Sequence, residues 1–448
     1  MSKKLFGTDG IRGTANRYPM TCEVALKTGR AVARLVLEKG FDSAVIGKDT
    51  RKSCDMLEAA LAAGITSEGV DVWSAGVIPT PAVARLAVLM ENTGAGIMIS
   101  ASHNPYHDNG IKIFDGSGNK LSGHDQEAIE SYIHKDEIFK GSDTGRVFVM
   151  DSAVDRYGEF LLENIDTDKI QKPFKLVVDC ANGAACRTAK SVFIKPLFDA
   201  RFIFDAPDGM NINENCGSQH TQTLSRKVTE TGADMGLAFD GDADRLIAVD
   251  EKGGEITGDR ILAVCAEYMK KKGTLNNNVV VSTVMSNIGL SKFLKSREIS
   301  HEITGVGDIR VKQRMTETRA SIGGEDSGHM IFSSCHTTGD GLLTALKLIE
   351  IVSDTRVPLS ELAGRMKVYP QILMNVQVDS SRPDFMKIQP VADEIQQVEN
   401  ELDGNGRVLI RYSGTQPLLR VMVEGPDHEK VREYCERICD KIRESIPA

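Results

Sequence analysis

The stretch Gly96–Phe114, GIMISASHNPYHDNGIKIF, runs from one apolar segment through a polar loop into another. Apolar runs bounded by turn residues read as strands buried on both faces. The segment is therefore predicted as strand, loop, strand, with Ser100–Pro105 (SASHNP) in the loop. Two other places share this grammar: Asp240–Arg245 (DGDADR) lies between AF and LIAVD, and Gly323–His329 (GGEDSGH) lies between SI and MIF.

Reading outward, each loop is preceded by a similar series. SAVIGKDTRKS from Ser43, KLVVDCANGAA from Lys175 and NVVVSTVMSNIG from Asn278 each begin with a strand and continue into a helix. A second strand follows in GVDVWSAG from Gly69, ARFIFDAPDG from Ala200 and ISHEITGVGD from Ile299. After each loop and its second apolar run, a helix opens near SGHD, TGDR or TGDG. One order of elements written three times predicts three related α/β domains, over residues 1–150, 151–255 and 256–368. From Gly364–Gln371 the pattern changes to a strand (Ile372–Val378), a helix (Gln389–Leu402), two strands around RYSGTQP and a last helix from Asp427. That is a smaller α+β domain, 369–448, with a Gly/Pro-bearing hinge at its entry. Open α/β sheets bind ligands beyond the carboxyl ends of their strands, which is where the three loops fall.

A chain of 448 residues is too long for one core. With 54 Lys+Arg against 63 Asp+Glu its formal charge is −9, the wrong sign for a nucleic-acid binder. Nine cysteines without a C-x-x-C pair indicate neither a disulfide framework nor a structural zinc site. Neither a signal segment nor a membrane-length apolar run is visible. The expected protein is soluble, reduced and cytoplasmic, with no nucleic-acid or membrane partner.

Each loop carries its own chemistry. Asp240, Asp242 and Asp244, separated by small residues, form a hard-oxygen set suited to Mg²⁺. An EF-hand is rejected: Arg245 stands where that loop needs glycine, and the flanks read as strands. For the first loop, an ordinary cap or turn competes with a functional reading. A Ser-His-Asp hydrolase is disfavoured because neighbours in an extended segment point to opposite faces, which would separate Ser102 from His103. A serine facing a magnesium loop reads better as a phosphorylated residue whose phosphate completes the metal shell. If the third loop is extended, Glu325, Ser327 and His329 project to one side as partners for sugar hydroxyls, with the glycines admitting a ligand closely. Arg411, Ser413, Gly414, Thr415 and Arg420 form a phosphate nest. Arg12 in GTDGIRG could meet a phosphate or a surface carboxylate.

In this order and combination, SASHNP, DGDADR, GGEDSGH and RYSGTQP resemble the α-D-phosphohexomutases, over essentially the whole chain. FGTDGIRG and TVMSNIGL (Thr283–Leu290) are similar to the family's bacterial members acting on glucosamine phosphates. The resemblance implies three mixed-sheet α/β domains and a TATA-binding-protein-like α+β domain around a central cleft. It implies Ser102 as phosphoserine and as a ligand, with Asp240, Asp242 and Asp244, of one Mg²⁺ per chain. His103, Lys112, Arg12 and Arg245 would assist proton transfer or stabilise the moving phosphoryl group. Glu325, Ser327 and His329 would hold the sugar, and Arg411, Ser413, Gly414, Thr415 and Arg420 a substrate phosphate.

The implied reaction interconverts glucosamine 6-phosphate and glucosamine 1-phosphate through a 1,6-bisphosphate that also serves as activator, supplying UDP-N-acetylglucosamine synthesis. Alternatives are a mannose- or glucose-phosphate mutase of the same family, a metal-dependent phosphatase, or a non-catalytic sugar-phosphate-binding protein. A homodimer is left open. Two departures stand out. Tyr412 and Gln416 occupy the proline and glutamate positions of the usual phosphate loop, and Ile309 and Arg310 stand in GVGDIRV where the glucosamine enzymes carry Arg-Tyr.

Overall fold

The computed structural model describes residues 4–7, 9–135, 143–193, 196–379, 382–413 and 417–446. Three mixed sheets share one motif. In the first, of seven strands, Asp71–Val77, Ser43–Lys48 and Thr93–Ile99 run parallel in that spatial order, and Asp108–Asp115 pairs antiparallel with the last of them. Phe198–Ile203, Phe174–Asp179, Met235–Phe239 and Leu246–Asp250 repeat it. So do Ser300–Thr304, Val279–Thr283, Ile322–Gly324 and Met330–Phe332. The central strands Thr93–Ile99, Met235–Phe239 and Val279–Thr283 are buried at every position, which is why they read as unbroken apolar runs: helices cover both faces of a parallel sheet. The helices expected near SGHD, TGDR and TGDG are Gly123–Lys135, Gly258–Lys272 and Gly341–Thr355.

The chain divides into two compact units, Met1–Met285 with Ile299–Gly364, and Ser286–Glu298 with Arg365–Ala448. The second contains an antiparallel sheet in the order Gln371–Gln377, Leu418–Glu424, Arg407–Tyr412 and the helices Gln389–Leu402 and His428–Ser445. Val376, Leu419, Val421, Val398 and Ile438 are among the residues of its core. One element escapes a reading in chain order. The helix Ile288–Ser296, which follows the first strand of the third repeat, groups with this unit. Its cap Asn287 donates to Tyr369 O at 2.9 Å and to the buried Glu424 at 3.2 Å, while Asn287 Oδ1 accepts the N–H groups of Gly289 and Tyr369. The hinge expected at Gly364–Gln371 is thus one of three chain crossings between the units.

Among the described residues no helix is long and apolar enough to cross a membrane.

A buried polar contact ties two helices of the first unit. Tyr157 Oη, on Ala153–Glu163, donates at 2.7 Å to Asp340, whose Oδ1 caps Gly341–Thr355 by accepting the Leu343 N–H. Burial pushes the Asp340 carboxyl up to about 6, against the lowering effect of the Leu343 N–H and Tyr157. The folded state therefore holds this proton between about pH 4 and 6, and that stabilisation is lost as pH rises through 6. In Asp340→Asn the amide oxygen still caps the helix and the amide nitrogen can donate to Tyr157. Thermal unfolding across pH 4 to 7 should show the variant gaining on the unsubstituted protein by up to about 3 kcal/mol. Parallel stability curves would rule this account out.

Candidate active site

Ser102 leaves the strand Thr93–Ile99 in a tight turn with φ 55° and is 1% exposed. Left-handed backbone at a residue other than glycine persists only where its surroundings enforce it. Here Ser100 Oγ accepts the Ser102 N–H at 2.9 Å, and the Ser102 carbonyl accepts from Arg51 at 3.1 Å and Asn213 Nδ2 at 3.0 Å. The same two donors also reach Asn104 O. Arg51 is itself fully buried and paired with Asp49. Ser102 Oγ donates to Asp240 Oδ2 at 2.6 Å, across 138 positions of sequence.

This turn corrects one expectation. The segment is not extended, so Ser102 and His103 do not face opposite ways: Oγ and His103 Nδ1 are 3.4 Å apart. Burial, then Arg245 and Arg12, hold the His103 imidazole down at about 4, leaving a neutral ring beside the hydroxyl at neutral pH.

The acidic turn follows the buried strand Met235–Phe239. Asp240, Asp242 and Asp244 each offer a carboxylate oxygen within 4.8 Å of the others. Ala243 takes φ 54°, and Gly241 lies so close that a Cβ there would stand 2.5 Å from Ser102 O. Lys112, 2% exposed on the strand Asp108–Asp115, donates to Asp242 Oδ2 at 2.7 Å and Asp244 Oδ2 at 3.2 Å. Thr80 donates to Asp242 Oδ2 at 2.5 Å. Burial alone would lower the Lys112 ammonium, but Asp242, Asp244 and Asp9 override it and hold it well above the usual lysine value. Burial and then its two acidic neighbours hold the Asp240 carboxyl well above the usual range. For Asp244 burial acts upward as well, yet Lys112, His329 and Arg245 bring it well below.

Asp242 Oδ1 and Asp244 Oδ1 are buried without a hydrogen-bond partner. Three convergent hard oxygen donors, two of them with an unmatched buried oxygen, fit a divalent cation of the Mg²⁺ type. Arg245 adds a partly buried guanidinium: its backbone N–H donates to Asp240 Oδ1 at 3.1 Å, and its Nε lies 3.8 Å from Asp244.

The third loop departs from its expected form. Glu325–Gly328 is a β-turn closed by Gly328 N–H to Glu325 O at 3.0 Å, not an extended segment. Consequently Glu325, Ser327 and His329 do not share one side. Ser327 is exposed; Glu325 is partly buried and accepts the Gly307 N–H at 3.2 Å. His329 is buried, with Nδ1 3.7 Å from Asp244 Oδ2 and Nε2 accepting the Gly339 N–H at 3.1 Å. Its polar neighbours are Asp244 of the acidic turn, Gly339 and Asp308. The glycines also serve internal packing: a Cβ on Gly328, at φ 92°, would stand 2.1 Å from Leu246 O.

In the C-terminal unit, Arg411 and Arg420 are directly opposed across antiparallel strands. Like charges so placed repel, and burial together with Arg420 lowers the Arg411 guanidinium. Arg420 Nε is buried without a hydrogen-bond partner. Ser413 is buried and donates its N–H to Leu418 O at 2.8 Å; Gly414, Thr415 and Gln416 lie outside the described residues. Tyr412 anchors the near side of this loop, donating to Pro383 O at 2.5 Å and tilting its ring against Phe385.

Arg12 donates to Ala101 O at 3.2 Å and pairs with Asp9. Asp9, Arg51, Thr80, Lys120, Asn213 and Asp308 escaped the sequence reading. Asp9 lies inside the GTDGIRG motif, Asp308 inside GVGDIRV and Arg51 inside SAVIGKDTRKS, but nothing in those motifs pointed to the contacts they make.

Four family models match the chain: phosphoglucomutase/phosphomannomutase alpha/beta/alpha domain I over residues 3–139, domain II over 155–254, domain III over 257–369 and the C-terminal domain over 373–441. The chain is 57% identical to the phosphoglucosamine mutase of Desulforapulum autotrophicum, covering 99% of each. To that of Syntrophus aciditrophicus it is 50% identical, again covering 99% of each. Among solved structures, a phosphoglucomutase/phosphomannomutase family protein of Burkholderia thailandensis superposes with a TM-score of 0.82 at 25% identity, over 99% of this chain and 98% of that one.

Two measurements probe this geometry. Gly241→Ala must displace the Ser102 carbonyl or the acidic turn, so it should lower stability by about 1–3 kcal/mol and weaken Mg²⁺ binding in calorimetry at least about tenfold; unchanged binding would show that the close approach is dispensable. Asp240→Asn removes a carboxyl whose anion burial and its two acidic neighbours disfavour. In chelator it should melt no lower than the unsubstituted protein, whereas millimolar Mg²⁺ should raise the melting temperature of the latter only. A melting temperature of the unsubstituted protein that ignores Mg²⁺ would remove the acidic turn as a cation site.

Proposed function

This chain belongs to the phosphoglucomutase/phosphomannomutase family, and on that premise we propose that it interconverts glucosamine 6-phosphate and glucosamine 1-phosphate in the cytoplasm. The observation carrying the reading is the 2.6 Å contact between Ser102 Oγ and Asp240, beside two unmatched carboxylate oxygens. The glucosamine assignment rests on relatives at 57% and 50% identity over nearly the full chain.

In this reading Ser102 carries a phosphate and gives it to the free oxygen of the sugar phosphate. A 1,6-bisphosphate results, reorients, and returns its other phosphate to Ser102. Asp240, Asp242, Asp244 and the Ser102 phosphate would hold Mg²⁺, which supplies positive charge to phosphate oxygens when bound. The chain supplies the rest. Transferring phosphoryl groups spread negative charge over their oxygens, so fixed cations must be in place beforehand. Lys112, buried, and Arg245, partly buried beside the acidic turn, meet that need. His103, neutral and 3.4 Å from Ser102 Oγ, can exchange a proton with that hydroxyl as the phosphate leaves or returns. Arg411 and Arg420 hold a substrate phosphate, whose charge relieves their mutual repulsion; Ser413, Gly414 and Thr415 complete that loop. Glu325 and Ser327 bind sugar hydroxyls.

Ser102→Ala should abolish isomerisation and covalent labelling from radiolabelled glucose 1,6-bisphosphate, while Mg²⁺-free stability stays within about 1 kcal/mol. Equal turnover by the variant would end the proposal, and release of inorganic phosphate without isomerisation would identify a phosphatase. Arg420→Ala should raise KM for glucosamine 6-phosphate at least about tenfold; an unchanged KM would remove the C-terminal loop from substrate binding.

A further inference from the structure

Lys112 has two sets of acidic neighbours. On one side are Asp242 and Asp244; on the other, at 3.3 Å, is Asp9 Oδ2. Asp9 is itself oriented by two further charges. Its Oδ1 meets Lys120 Nζ at 2.5 Å, and the same ammonium meets Asp308 Oδ2 at 2.6 Å. Lys120 follows the strand Asp108–Asp115 after a turn, and Asp308 is the first residue of the helix Asp308–Thr318. Charges of alternating sign therefore run without a break: Asp242 and Asp244, Lys112, Asp9, Lys120, Asp308. His329 lies against both ends, 3.7 Å from Asp244 and 3.6 Å from Asp308.

The arrangement is directional. With one Asp9 oxygen held by Lys120, the other faces Lys112 and Arg12. Lys120 is 17% and Asp308 17% exposed at the side chain, so neither pair is a loose surface contact. Burial would raise the Asp9 carboxyl, but Lys112, Lys120 and Arg12 together hold it well below the usual range, so it stays an anion available to Lys112. A cation entering the acidic turn must compete with Lys112 for Asp242 and Asp244. The oriented Asp9 offers the ammonium a second anchorage, which lowers the cost of that competition.

We propose that Lys120 and Asp308 are positioning residues that, through Asp9, set where the Lys112 ammonium rests and thereby tune the affinity of the acidic turn for a divalent cation. The inference rests on the reading of that turn as a cation site. Without Lys120, Asp9 Oδ1 loses the charge that fixes the carboxylate, and Arg12 alone orients its other oxygen toward Lys112.

The test measures Mg²⁺ and Mn²⁺ affinity of the full chain by calorimetry without sugar, beside isomerase turnover of the unsubstituted protein. Lys120→Met and Asp308→Asn should each weaken cation binding about tenfold, and Lys120→Arg should stay within about twofold. In a Lys112→Met background, Lys120→Met should cause no further loss, since its effect passes through Lys112. Unchanged affinity, a loss undiminished without Lys112, or a failed Arg rescue would each overturn the proposal. Should Lys120→Met not fold, Asp308→Asn and Asp308→Glu decide it, with the glutamate expected to retain binding and an equal loss in both overturning the role. Cation binding without turnover would instead count against the proposed reaction alone, and absence of binding by the unsubstituted protein against the cation site itself.

Discussion

Burying three carboxylates within 4.8 Å of one another is the constraint on which the first unit depends. Desolvated like charges cost several kcal/mol unless they are matched. Lys112 matches part of this charge and shares Asp242 Oδ2 with Thr80, the Arg245 N–H satisfies Asp240 Oδ1, and Asp242 Oδ1 and Asp244 Oδ1 are left over. A site completed by its own side chains would have no reason to take up a cation. This one is satisfied far enough to fold and leaves acceptors where a cation can enter.

The serine turn shows the same economy in its backbone. Ser102 could not keep φ 55° on local preference alone. It is held by Arg51 from its own repeat and Asn213 from the next, with Gly241 permitting the approach that brings Oγ to Asp240. Backbone strain, a buried guanidinium and a glycine in another repeat are thus parts of one device. It presents a hydroxyl to an acidic turn that comes more than a hundred residues later. The charges beyond Lys112 extend that device outward, so the electrostatic site is larger than the set of groups that could touch a substrate.

Much of this was legible in the chain. The three loops could be placed because buried parallel strands leave an unmistakable apolar run, and because the same order of elements recurs. DGDADR was readable as a cation site since few other contexts tolerate carboxylates at that density. Where the reading failed, it assumed an extended backbone. Ser102 and His103 face one another because the chain turns at Ser102, and Glu325, Ser327 and His329 part company because Glu325–Gly328 is a turn. Both errors arise from applying the strand period of two residues to loops whose turn geometry is imposed from elsewhere.

Period, composition and motif spacing by themselves determined the repeated α/β architecture, the positions of the loops and the kind of chemistry each could support, because all of these follow from which residues are apolar and how they recur. Which groups meet was decided only in three dimensions. The partners of Ser102, the recruitment of Asp9, Lys120 and Asp308, and the grouping of Ile288–Ser296 with the C-terminal unit join positions tens to hundreds of residues apart. Electrostatic energy depends on distance through space and on burial, and neither quantity is written in the spacing of residues along a chain.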